Sequence, residues 1–434
     1  MQDGLASDAD TAGSATAAAT AERGRPPGRT GSLSDRALIL LLAAITASGP
    51  IALNIYLPAL PLVQADFGVS LAQAQSTLSI ALIGFAAGIL IYGPLSDRFG
   101  RRRVVLAGLG IYLAGTLLCL IAPTIEWLTA GRAVQSLGAA AGLVVSRAIV
   151  GDLFPRERMA KTLAYLTMVM VVGPMVSPIL GGWISVQWSW RGTFVFLLLL
   201  VGAVAILAWL RLPETRPADA RSSSARAIAS ASVDLLRRRS FSGYMLQGSV
   251  IYATFLVLIS LAPYVMVDAL DRPPTEFGAY YLLLALGYFC GNWSVTRLTS
   301  RRGVEWLMLQ GVAISAVSCL VALALFGLGF THPLALFGPI AVLGFGQGMA
   351  LPNITASAVA LAPGNAGVAS SLLGFAQQLV GAACVQGMSV FPTDSAYPML
   401  IFCATCGCLA WAGLTIQNRL ASGADAPQRH RTSD

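Results

Sequence analysis

Charge is what this sequence has least of. Asp, Glu, Lys and Arg make up 11% of its 434 residues, less than half their usual share of about 25%. With 28 basic and 20 acidic side chains a chain this long cannot cover itself in water, which excludes a soluble globule. Lysine is reduced to Lys161, which follows Ala160 and Met159 rather than a glycine. A Walker-type phosphate loop needs a Gly-Lys pair, so the chain is not itself an ATP-driven pump. Histidine is equally scarce: His332 and His430 fall in a loop and a tail, leaving no imidazole for catalysis in the apolar interior. The seven cysteines are odd in number and lie within apolar runs, where they read as small buried residues and imply no disulfide framework. Cys403 and Cys406 form a CxxC without a neighbouring histidine or charge, so no redox or metal site is expected there. Neither a cofactor nor a bound metal is expected anywhere.

What the sequence has in abundance is apolar length. Residues of the AVILMFWYC set make up 56%, gathered into runs that each supply the roughly 20 residues of a membrane-spanning helix. Six lie near 37–63, 73–95, 104–122, 127–150, 160–184 and 193–210. Six more lie near 243–267, 277–298, 304–328, 333–355, 365–390 and 396–417. The expected fold is therefore all-α and integral to the membrane, with 12 transmembrane helices. A polar stretch at 211–240 with seven arginines divides the runs into halves at 36–210 and 241–418, and nearly equal halves suggest a duplication. Residues 1–35 carry Asp3, Asp8 and Asp10 where a signal peptide would be basic, so they read as a retained, disordered cytoplasmic tail. A second tail is expected at 419–434.

The arginines orient the chain. Loops after the second, fourth, sixth and eighth runs, together with the tails, hold 24 of the 28 basic residues. Loops after odd-numbered runs hold only Arg191 and Arg272. By the positive-inside rule both termini are cytoplasmic, and the net charge of +8 describes a membrane face rather than a nucleic-acid partner.

Residues 93–103 read GPLSDRFGRRR. Glycines at Gly93 and Gly100 permit a tight turn and close helix contact, and Asp97 can pair with an arginine or cap a helix. The stretch resembles the G-x-L-a-D-R-x-G-R-R signature of the major facilitator superfamily, of which the chain is identified as a member. That resemblance implies two pseudo-symmetric six-helix halves. It also implies a conformational switch built from Gly93, Asp97, Arg98, Gly100, Arg101 and Arg102, with Asp152 as the acid that Arg101 engages. In the second half the matching stretch keeps Arg301 and Arg302 but has Val295 where the aspartate would stand. Arg132, Gln135, Ser136, Gly138 and Ala140 are similar to the superfamily's R-x-x-Q-G-x-G-A-A element. Gly173, Ser177, Pro178, Gly181 and Gly182 are similar to its antiporter motif, in a helix whose small residues would equally serve ordinary packing. With Asn54, Tyr56, Trp190, Arg191, Glu214 and Asn353 these features resemble the Bcr/CflA branch of the drug/proton antiporters.

One departure matters. That branch carries aspartate where this chain has Asn54, and an amide does not titrate near neutral pH. Every one of the 20 acids falls in a tail, a loop or a helix end. Arg132 lies about one and a half turns into a transmembrane run, either lining a water-filled cavity, or snorkelling to the outer interface or bonded to carbonyls. Arg147 reads as structural. The expected substrate cavity is neutral to positive, built from Asn54, Tyr56, Arg132, Gln135, Tyr252, Asn353, Gln377 and Gln378, the last two being equally able to bond between helices. Such a cavity favours neutral or anionic amphiphiles over lipophilic cations.

The resemblance implies secondary export of small amphiphilic compounds or drugs across a bacterial inner membrane, by a monomer in the lipid bilayer that exchanges substrate for protons. The alternatives are a transporter or uniporter for a single metabolite. A sensor lacks its soluble domain and an enzyme lacks a cluster of reactive groups at one depth.

Overall fold

Proline and glycine set the helix boundaries. The computed structural model describes residues 34–216 and 225–424, and among these the regular structure is helical. α1 (Asp35–Phe67) is interrupted after Ile55. Pro58 and Pro61 lack the amide hydrogens an unbroken helix needs, so a 3-10 turn at Leu57–Ala59 leads into a second stretch, Leu60–Phe67. α2 (Leu71–Phe99) starts at a capping box in which Ser70 and Gln73 exchange hydrogen bonds. α3 (Arg101–Leu120), α4 (Ile125–Leu153), α5 (Arg156–Gln187) and α6 (Trp190–Arg211) follow. The expected basic linker contains a helix of 13 residues, α7 (Ala225–Arg237). α8 (Arg239–Asp268), α9 (Pro274–Arg302), α10 (Val304–Gly327), α11 (Pro333–Ala360), α12 (Ala366–Met388) and α13 (Tyr397–Ala424) complete the chain. The expected tails at 1–35 and 419–434 lie largely outside the described residues.

Residues 34–38 do no more than open α1, where Ser34 Oγ accepts from the Ala37 amide at 3.3 Å. From Ile39 onward the described chain forms one compact unit. Within it the same packing occurs twice: α2 and α3 both lie on α4, and α9 and α10 both lie on α11. The junctions match too. Gly100 alone separates α2 from α3 at φ +98°, and Gly303 alone separates α9 from α10 at φ +79°, a region that side chains with a Cβ enter only under strain. The two sets meet where α2 packs on α12 and α5 on α9. α8 is enclosed, every residue from Leu256 to Met266 being buried.

Eleven helices among the described residues are long and apolar enough to cross a membrane. The twelfth expected segment lies in α9, which has 29 residues but carries Tyr280, Tyr281, Tyr288, Asn292, Ser294 and Thr296, enough polarity to set it apart from the other eleven. The outer faces are apolar: Leu199, Ile206 and Trp209 of α6 are 69%, 60% and 63% exposed. Water would penalise such a surface, whereas hydrocarbon matches it.

Gly100→Ala should cost about 1–3 kcal/mol, because its φ is unsuited to alanine and the new Cβ would lie 2.5 Å from Glu214 Oε2. Gly110→Ala, with open space around the new methyl, should leave stability within about 0.5 kcal/mol. Melting of the purified variants in detergent checks both.

Candidate functional site

At the arginine-rich end, the α2–α3 junction is held by one guanidinium. Arg101 Nη1 donates to Ser96 Oγ at 2.6 Å and to Asp97, and its Nε donates to Asp152 Oδ2 at the end of α4, at 3.0 Å. Thr215 Oγ1 donates to the same carboxylate at 3.3 Å. Glu214 accepts from the Arg101 amide at 2.8 Å and the Arg102 amide at 3.3 Å, a negative charge on the N-terminus of α3 where the helix dipole favours one. Arg102 reaches the Trp209 carbonyl at 2.6 Å, while Arg98 lies over the Phe99 ring. Glu214 entered the sequence reading only as part of a resemblance. Its position beyond α6 hid its contact with the amide of residue 101.

The antiporter-like stretch of α5 lies at the other end of the bundle. Gly181 packs directly on the Ile55 carbonyl at the break of α1, Gly173 faces the Ile51 side chain, and Gly182 is buried. Ser177 Oγ bonds back to the Pro174 carbonyl at 3.3 Å. Across from Pro178 and Ile179 stands Gly278 of α9, where a Cβ would lie 2.6 Å from Ile179 Cα. Two further bonds close this end: Gln75 Nε2 to the Ser260 carbonyl at 3.0 Å, and Gln386 Nε2 to the Ala72 carbonyl at 3.1 Å.

Between the two ends lies a cavity of about 410 Å³. Asn54 of α1, Phe85 of α2, Arg147 of α4, Met170 of α5, Tyr252 and Phe255 of α8, Tyr281 and Tyr288 of α9, Gln347 of α11, and Gln377 and Gln378 of α12 line it. Tyr281 Oη donates to Asn54 Oδ1 at 3.2 Å, joining α1 to α9, and Tyr252 Oη donates to Gln378 Oε1 at 3.5 Å. Ile89, Leu143, Arg147, Ser370 and Gly374 also line a second cavity of about 470 Å³ that reaches Asp97 and Arg101. The central space thus continues toward the arginine-rich end and is closed at the opposite one.

Of the eight expected cavity residues, the structure brings Asn54, Tyr252, Gln377 and Gln378 together here. Tyr56, Arg132, Gln135 and Asn353 lie elsewhere. Arg132, Tyr56 and Gln135 are completely buried in a network of their own. Arg132 Nη1 donates to Gln135 Oε1 at 2.6 Å and to the Ala52 carbonyl at 3.3 Å, and its guanidinium carbon stands 4.5 Å from the Tyr56 ring centre. Gln135 donates onward to Thr116 at 2.9 Å, and Tyr56 bonds Thr77 at 3.0 Å. Carbonyl bonding therefore holds Arg132, and a desolvated cation–π contact of this kind contributes about 2 kcal/mol. Asn353 donates to the Met349 carbonyl of its own helix at 2.7 Å. It misses the cavity because Gln347, Leu351 and Thr355 form the lining stripe, and two residues beyond Leu351 is roughly the opposite face of a helix.

Arg147, read from the sequence as structural, is the charged residue that lines the central cavity among the described residues. Tyr281 and Tyr288 were missed as well. Their signal is a helical stripe with Leu284 and Ala285 on α9, the spacing of one face.

The profile of the Major Facilitator Superfamily matches residues 40–385. The chain is 30% identical over 346 residues to multidrug resistance protein D of Escherichia coli, covering 79% of this chain and 86% of that one. It is 29% identical over 399 residues to a bicyclomycin resistance protein homolog of Haemophilus influenzae, covering 89% and 98%. In fold it is similar to a crystal structure of a peptide transporter POT at a TM-score of 0.75, with 15% identity and coverage of 91% and 96%. A multi-pass membrane transporter rather than an enzyme, the chain belongs to the major facilitator superfamily.

Proposed function

We propose that this transporter exports small amphiphilic compounds by alternating access, in exchange for protons, from a bacterial inner membrane. The observation that carries the proposal is the central cavity: amides and tyrosine hydroxyls set among Phe85, Phe255 and Met170 suit a molecule with an apolar body and a few polar groups. The relatives named for multidrug and bicyclomycin resistance support a substrate of that kind. In this proposal the arginine-rich end and both termini are cytoplasmic, so the cavity is ready to load from inside. The halves 36–210 and 241–418, joined by the linker 211–240, rock about the cavity as a monomer.

Gly93, Asp97, Arg98, Gly100, Arg101, Arg102 and Asp152 form the switch in this mechanism. The ionic partners of Arg101 all lie in the first half, so these pairs stiffen the α2–α4 corner rather than bridge the halves. Closure on this side would bring that corner against the start of α12, where Gly367, Val368 and Ser371 line the facing wall of the vestibule. At the opposite end the antiporter motif, Gly173, Ser177, Pro178, Gly181 and Gly182, would serve as the surface on which α1 and α9 seal.

A second reading, a uniporter for a single metabolite, draws on Asn54 and on the lack of a carboxylate among the described residues lining the central cavity. Accumulation of an amphiphile panel in efflux-deficient cells separates the two. Export predicts reduced accumulation of at least one compound, abolished by a protonophore. No change across the panel favours the single-metabolite reading, and export that persists under the protonophore removes the proton.

Arg101→Ala should abolish transport and cost roughly 3 kcal/mol, because it leaves Asp97 and Asp152 unpaired in a partly buried site. Arg101→Lys keeps the charge but cannot span both carboxylates with a planar fork, so its transport should fall between Ala and wild type. Uptake assays and detergent melting report both effects.

A further inference from the structure

We propose that the Arg147 guanidinium is an anion-binding subsite of the central cavity and takes the carboxylate of an amphiphilic substrate. The inference rests on the transport reading and specifies its substrate class.

The arginines placed within the helices differ in how they are satisfied. Arg101 is bound by two carboxylates and Arg191 by Asp66 at 2.9 Å; Arg132 is held through Nη1 by a carbonyl and an amide oxygen and lies over an aromatic ring, its Nε and Nη2 being enclosed away from both cavities without a hydrogen-bond partner among the described residues. Among the described residues Arg147 has only the Met170 sulfur, 3.9 Å from Nη2, a weak acceptor that carries no charge. Asp152, the acid nearest along the helix, is engaged by Arg101 and Thr215, and residues five apart do not share a helix face. Asp97, which lines the adjoining vestibule, is likewise engaged by Arg101.

Position completes the argument. Arg147 lines both cavities, so a molecule moving from the vestibule to the central space passes it. A guanidinium presents parallel N–H donors that match a carboxylate in a bidentate pair, and low-dielectric walls strengthen that pair. The rings of Phe85, Phe255 and Tyr252 offer the adjoining apolar surface. A lipophilic cation meets the same guanidinium as a like charge, with no carboxylate among the described lining residues to offset it.

The test uses matched pairs of aromatic amphiphiles that differ only in charge, such as naphthaleneacetate and its primary amide or biphenylacetate and its primary amide. Binding to the purified full chain in detergent is measured by calorimetry for wild type, Arg147→Gln and Arg147→Lys, with melting curves to establish folding. The expected result is carboxylate binding about tenfold or more tighter than amide binding in wild type, a ratio near one in Arg147→Gln, and partial recovery in Arg147→Lys. Equal or weaker binding of the carboxylates in wild type, their failure to bind at all, or a preference that survives Arg147→Gln overturns the subsite. If wild-type cells still export a neutral amphiphile under any of those outcomes, the transport reading stands and the anion site alone falls.

Discussion

Inside a bilayer every fixed charge and every polar backbone group must be satisfied by the protein itself, because hydrocarbon supplies neither water nor counter-ions. The placement of the arginines in this chain follows from that constraint. Arg101 stands at a helix junction between two carboxylates, and Arg132 is enclosed by a ring, an amide and a carbonyl. Arg147 faces open space, where water or a solute can approach it. The two deeper arginines of α4 therefore have different tasks: one fixes the break of α1 against α4, and the other gives the cavity its sign.

Close packing supplies the rest of the architecture. Lipid tails are as apolar as the helices, so association depends on how closely backbones approach and on bonds between helices. Gly181 against Ile55 and Gly278 against Ile179 bring α1, α5 and α9 together at the sealed end. At the arginine-rich end the glycine junctions Gly100 and Gly303 let consecutive helices reverse within one residue. One end is thus joined by close backbone contact across the bundle, the other by ion pairs kept within one corner, an asymmetry suited to a structure that opens on one side.

Much of this was legible in the sequence, and the limits have a geometric cause. Apolar runs and the GPLSDRFGRRR stretch are local signals, so the helices and the membership of the superfamily could be recognised from them. The direction in which a residue points around its helix is not local. Arg132 and Arg147 are 15 positions apart on α4, which at about 100° per residue sets their faces some 60° apart; only the neighbours of each face decide that the first is enclosed and the second open. Tyr56 and Asn353 were misplaced for the same reason, each two residues from a position that does line the cavity, Asn54 and Leu351. The stripe of tyrosines on α9 escaped notice because it reads as reduced apolarity rather than as a motif.

Alternating access requires that one cavity be exposed in turn to the two sides of the membrane. Pulsed electron-resonance distances between spin labels test it most directly, in a background with Cys290 and Cys408 replaced by serine, since both are exposed. One pair of labels, at Arg103 and Arg301, spans the arginine-rich ends of the two halves; another, at Glu126 and Thr331, spans the opposite ends, and all four positions are exposed. In liposomes with a transported amphiphile, the account predicts that the first distance shortens while the second lengthens. Distances that stay fixed at both ends while the same liposomes transport the compound would contradict it.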